Sequence, residues 1–174
     1  MDLTEIPTDD GVYCMFDLDN TPAYAGQTSN LRSRLRQHFI RQDSSVSSYG
    51  RLDPWDIASV AWWTTDQTYQ AEQNLLGEFQ PYLNFAAESD TQAPQGEIDT
   101  EEPDGTFALM SEDEQAFRRQ PYNRVKQKVE HINRMVDKIK YANHSDDTRR
   151  TLYEHKRILE ENLQDFLGVD EIPE

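Results

Sequence analysis

The chain has 174 residues, a net charge of −16 and one cysteine. That length suits one domain with an appendage. Lone Cys14 excludes an internal disulfide, and no apolar run reaches the roughly 18 residues of a membrane span. The opening MDLTEIPTDDG has neither the basic nor the apolar region of a signal peptide, so a cytoplasmic protein is expected. The acidity excludes a uniformly basic nucleic-acid binder, for which phosphate contacts would dominate affinity.

Residues 1–10 read as an acidic lead-in. Residues 11–17 read as a strand, with Val12, Cys14 and Phe16 on one face and Tyr13 and Met15 on the other. A turn at Asp19–Pro22 joins it to a second short strand over 22–26. Asn30 is placed to cap a helix over 30–41, whose apolar stripe is Leu31, Leu35 and Phe39. Arg34 and His38 share a face of that helix at i and i+4. A polar loop (42–54), a third strand (56–64) and a second helix (67–79) follow, with Pro81 stopping the helix. Residues 86–111 read as a flexible acidic linker. Beyond 112 the apolar residues Tyr122, Val125, Val129, Ile132, Val136 and Ile139 step by three and four, a heptad seam. A second helix from about 147 to 167 completes an antiparallel helical hairpin.

The charge is unevenly spread. Residues 1–84 hold 12 acids and five bases, and those bases are all arginines: Arg32, Arg34, Arg36, Arg41 and Arg51. Residues 85–111 hold seven acids and no base. The one concentrated basic patch of the first half thus falls on the first helix. The acidic background fits a high-salt cytoplasm, where such surfaces stay soluble, or a restraint on non-specific DNA binding.

Gly11-Val12-Tyr13, Tyr24-Ala25-Gly26, Arg34, Glu72 and Pro81…Asn84 occur in order, with Arg34 ten residues after Tyr24. This set resembles the GIY-YIG nuclease superfamily, and the spacing from Glu72 to Asn84 is closest to the excision-repair incision nuclease type. The resemblance covers roughly residues 8–85. It implies an α/β fold with a small three-stranded, mostly antiparallel sheet flanked by helices. Ala25 stands where the family has Ile or Val, and Gln27 where many members have Lys. The chain then divides into a nuclease domain (1–85), the linker (86–111), a helical hairpin (112–168) and a tail (169–174).

The resemblance implies a metal-dependent endonuclease that hydrolyses DNA phosphodiester bonds by single-step water attack. Glu72 would hold one Mg²⁺ or Mn²⁺, as a hard oxygen ligand suits these ions. Arg34 would grip the phosphate. Tyr13 is the candidate general base and Tyr24 orients water or phosphate, with the reverse assignment open. His38 contacts phosphate or assists proton transfer. Gln27, Arg32, Arg36, Arg41 and Asn84 are candidate substrate contacts, the arginines as a phosphate-facing patch and Asn84 also as a brace of the site. Restriction or defence, repair and mobile-element settings are all compatible, the first being favoured by small size. The alternative is a catalytically silent DNA-binding or assembly protein that keeps the fold as a scaffold. A third reading has the acidic linker mimic DNA as an inhibitor. The hairpin is expected to make a homodimer through 112–168, as a coiled coil.

Overall fold

The computed structural model describes residues 3–44, 50–85, 98–141 and 145–170. β1 (Gly11–Asp17) and β2 (Pro22–Thr28) form a hairpin. Its turn is held by Asp17, whose Oδ1 accepts from the amides of Asp19 and Thr21 at 2.9 Å each. Asn20 takes the left-handed conformation (φ 62°) that a short polar side chain tolerates best. β1 also pairs with β3 (Ile57–Thr64), and β3 with β4 (Gly105–Ala108). The order is β2-β1-β3-β4, and each neighbouring pair is antiparallel.

The sheet therefore has four strands where the sequence predicts three, and it is wholly rather than mostly antiparallel. The extra strand comes from the stretch read as linker. Its alternation is only four residues long, too short to stand out against its acidic, proline-containing flanks. Gly105 is where Trp62 covers the new strand; a side chain at 105 would collide with the indole. Trp63 Nε1 donates to the Asp99 carbonyl at 2.7 Å, and Phe107 and Leu109 pack on the core. Residues 86–97 of the expected linker lie outside the described residues.

α1 (Leu31–Arg36) begins at Asn30, whose side chain accepts from the Ser33 amide at 2.8 Å, the cap expected from the sequence. The helix widens into a π-helical turn over Gln37–Arg41 and ends at Gln42 in the left-handed region. α2 (Thr68–Phe79) follows β3. The two faces of β1 feed two cores. Tyr13 and Met15 join Leu31, Leu35 and Phe39 on one side. Val12 and Cys14 join Ala71, Leu75 and Leu76 on the other. The acidic lead-in is also structural: Leu3 and Ile6 are buried in the first core.

α3 (Glu112–Arg119), α4 (Pro121–Tyr141) and α5 (Asp146–Leu167) form the C-terminal part, with α4 and α5 in contact as a hairpin. The buried stripe of α4 is not the apolar seam. It is Arg124, Lys128, His131 and Met135, while Tyr122, Val129 and Val136 stay exposed. The cause is the surface they meet. Lys128 Nζ lies 2.7 Å from Asp56 and 3.3 Å from Asp53, and His131 Nε2 bonds the Gly50 carbonyl at 2.8 Å. His155 of α5 bonds the Arg51 carbonyl at 2.9 Å. The hairpin thus docks on the segment before β3 through polar groups, a partner that heptad reasoning cannot see. No helix among the described residues is long and apolar enough to cross a membrane.

Candidate active site

Tyr13 lies opposite Gly26, and Tyr24 opposite Met15, so both tyrosines stand on one face of the β1–β2 hairpin. Their ring centroids are 6.3 Å apart. Gly26 is required by this arrangement. A Cβ there would come within 2.7 Å of the Tyr13 hydroxyl and 2.9 Å of its ring. The glycine that closes the second motif is therefore the floor on which the first motif's tyrosine lies. Tyr13 is wholly buried and Tyr24 half-buried.

α1 covers this face. Arg34 Nε points at the Tyr13 hydroxyl at 3.4 Å, and its Nη1 donates to Gln37 at 3.2 Å. His38 Nε2 lies 2.7 Å from the Tyr13 hydroxyl. Its Nδ1 lies 2.9 Å from the Ser44 hydroxyl. The π-helical turn begins just before His38; such turns recur at functional sites. Burial, reinforced by the Arg34 charge, pushes His38 down to about 3, so it is neutral at physiological pH. Burial first, then the neighbouring Tyr24, raises Tyr13 above the ordinary phenol range, while Arg34 pulls against them. The resting pair is a protonated phenol beside a neutral imidazole. Ser44 was invisible to motif reasoning, since a serine in a polar loop carries no pattern.

Glu72 sits near the middle of α2 and meets the hairpin at β2, the edge strand. Gln27 Nε2 donates to Glu72 Oε2 at 2.8 Å, and Gln27 Oε1 accepts from Thr68 at 2.8 Å. Gln27 is thus clamped between α2 and β2 and holds the carboxylate in place. Burial raises the Glu72 pKa, and the Gln27 bond opposes the rise. The Glu72 charge in turn raises both tyrosines, which puts it within electrostatic reach of the phenols. Among the described residues no group of three or more His, Cys, Asp or Glu side chains is placed to hold a metal ion. A single half-buried carboxylate fits a hard cation that keeps most of its water, the donor set Mg²⁺ tolerates and Zn²⁺ does not.

The remaining expected contacts divide. Asn84 Oδ1 accepts from the Ala25 amide and its Nδ2 donates to the Ala25 carbonyl, both at 2.8 Å. Both ends of the amide brace the free edge of β2. Arg32 is turned to the lead-in, donating to the Ile6 carbonyl at 2.7 Å and the Thr4 carbonyl at 2.9 Å. Arg36 and Arg41 are exposed. The structure therefore brings together Tyr13, Tyr24, Arg34, His38 and Glu72, with Gln27 and Asn84 supporting.

Residues 10–84 match the model of the GIY-YIG catalytic domain. The chain is similar to the UvrABC system protein C of Synechococcus sp. (strain CC9311), 35% identical over 95 residues, which are 53% of this chain and 14% of that protein. It is 32% identical to the Prochlorococcus marinus (strain MIT 9211) protein of the same name over 53% of this chain and 15% of the relative. With the Borrelia hermsii (strain HS1 / DAH) protein the values are 30% over 52% and 15%. The matched stretch is thus about one-seventh of each relative's length. Residues 10–84 of this chain are a GIY-YIG domain.

Proposed function

We propose that the chain is a metal-dependent endonuclease that hydrolyses phosphodiester bonds in DNA. The observation that carries this is the convergence of Tyr13, Arg34 and His38 on one phenolic oxygen, with Glu72 in electrostatic reach. Such a site answers the needs of phosphate hydrolysis: a base for the attacking water, and positive charge for the phosphate.

Arg34 presents its guanidinium to the phosphate and to the Tyr13 oxygen at once, lowering the cost of a phenolate. Tyr13 is the base, and its hydroxyl is joined through His38 to Ser44. Tyr24, the more open phenol, orients water or phosphate. Glu72 would hold one Mg²⁺ or Mn²⁺, which supplies Lewis-acid charge at the phosphate and leaving oxygen. The likeness to proteins named UvrABC system protein C weighs toward a repair setting over a restriction one.

Cleavage of supercoiled plasmid with Mg²⁺ or Mn²⁺, across a salt series from low to molar, tests the proposal. Wild type is expected to nick, with activity falling at least about 10²-fold in Glu72→Ala, in which the charge at the phosphate is lost. Equal activity in Glu72→Ala would overturn the role of Glu72 as the metal ligand, and no cleavage by folded wild type that still binds DNA would favour the scaffold reading. An optimum near molar salt would support the halophile reading of the acidity.

The exposed Tyr122, Val129 and Val136, at seven-residue intervals on α4, are the proposed dimer surface. Light scattering should give twice the chain mass; a strict monomer at high concentration overturns the dimer.

A further inference from the structure

A cleft of about 410 Å³ separates the Gly50–Trp55 segment from α4. Its walls carry Arg118, Arg134 and Lys138, and among the described residues its one acid is Asp53. The Asp53 carboxylate is already balanced by Lys128 at 3.3 Å and faces His131 at 3.6 Å. Arg118 is held across the mouth, 5.0 Å above the Trp55 ring, by bonds to Glu114 and the Trp55 carbonyl. Arg134 and Lys138 lie one turn apart on α4, and Lys138 Nζ reaches over Gly50. In a chain of net charge −16, this concave surface is set for an anion.

The cleft also has a position. Gln42, which terminates the π-helical turn, lines it. One turn earlier the same element carries His38, bonded to Tyr13. Catalytic network and cleft therefore share a wall. We propose that this cleft binds backbone phosphates of the DNA strand flanking the scissile bond, so that the hairpin supplies a grip the GIY-YIG domain lacks. The inference rests on the nuclease reading for the identity of the anion as DNA.

The geometry suits phosphate rather than base recognition. Three cations on two helices can neutralise backbone charge, and phosphate contacts position without reading sequence. The binding should therefore be sequence-tolerant and strongly salt-dependent. Each phosphate contact contributes about 0.9 to the slope of log affinity against log salt.

The test is binding of a fluorescent duplex to the full chain in chelator, by anisotropy at several salt concentrations. Arg134→Gln/Lys138→Gln is expected to weaken binding and to reduce the salt slope by about two. It should also raise KM for plasmid cleavage. Arg149→Gln/Lys156→Gln removes the same charge from exposed positions of α5 outside the cleft, and should leave affinity and slope as in wild type. Equal weakening by both pairs, or by neither, overturns the inference. So does unchanged duplex affinity in the cleft variant together with loss of thermal stabilisation by inorganic phosphate, which would make the occupant a free phosphate compound. Cleft-dependent binding without cleavage by wild type would sink the nuclease reading alone. Cleavage with cleft-independent binding would sink the cleft alone.

Discussion

Tyr13→Phe should slow plasmid cleavage by about 10²- to 10⁴-fold, the range of a general base. The substitution keeps the ring that lies over Gly26 and packs with Leu31 and Leu35, and removes one oxygen. That oxygen is the meeting point of the site: Arg34 at 3.4 Å and His38 at 2.7 Å. Leaving the buried His38 Nε2 without this partner should cost about 1–3 kcal/mol of stability, visible as a modest fall in melting temperature but not as unfolding. The pH profile separates base from scaffold. Burial raises the Tyr13 pKa, so the phenolate is a minor species at neutral pH and grows with each unit of pH. Wild-type single-turnover rates should therefore climb with pH toward the alkaline limit of folding, and Tyr13→Phe should flatten that climb. Tyr24→Phe, which spares the Arg34–His38 convergence, should lose less. A larger loss or a flattened profile in Tyr24→Phe instead would exchange the roles of the two tyrosines.

Much of this site is legible in the sequence because its parts lie on regular elements. Tyr13 and Tyr24 follow from strand alternation across a short turn, and Arg34 and His38 from i, i+4 spacing after a recognisable Asn30 cap. What sequence reasoning misses has physical causes. Gln27 reads as a candidate substrate contact, and its bond to Glu72 is visible only once α2 is laid beside β2. Ser44 reaches His38 because a π-helical turn changes the path of the chain, and no residue pattern marks such a turn. Arg32 belongs to the same basic cluster as Arg34, yet two residues of rotation send it to the lead-in carbonyls. β4 is four residues within acidic surroundings, and gains its reason only from the edge that β3 presents. The hairpin shows the limit most clearly. Its helices are readable from period, but the face they bury is chosen by carboxylates and carbonyls far away in sequence.

That buried polar face carries the largest expected stability effect. Lys128 is 1% exposed, with Asp53 and Asp56 each 3% exposed. Burial by itself would lower the Lys128 pKa, but the Asp56 and Asp53 charges outweigh it and hold the lysine charged. Burial likewise works to raise Asp53, and Lys128 and His131 overcome it. Arg124 adds a bond to Asp19 at 2.7 Å and a longer approach to Asp56 at 4.0 Å. Lys128→Met fills similar volume but leaves two buried carboxylates without the lysine charge. Breaking a buried ion pair on one side costs about 3–5 kcal/mol. For a chain of this size that is a fall of about 6–20 °C in melting temperature. Because the lost groups join the hairpin to the segment before β3, limited proteolysis should cut between β4 and α4 sooner than in wild type. The triple variant Lys128→Met/Asp53→Asn/Asp56→Asn removes the stranded charges and should recover most of the loss, since a neutral, packed replacement of a buried ion pair is often tolerated. If Lys128→Met melts with wild type, the lysine charge is not what holds the hairpin. If the triple variant is no better than the single one, the bond geometry of Lys128 itself is required, and the docking of α4 depends on directed hydrogen bonds rather than on charge balance.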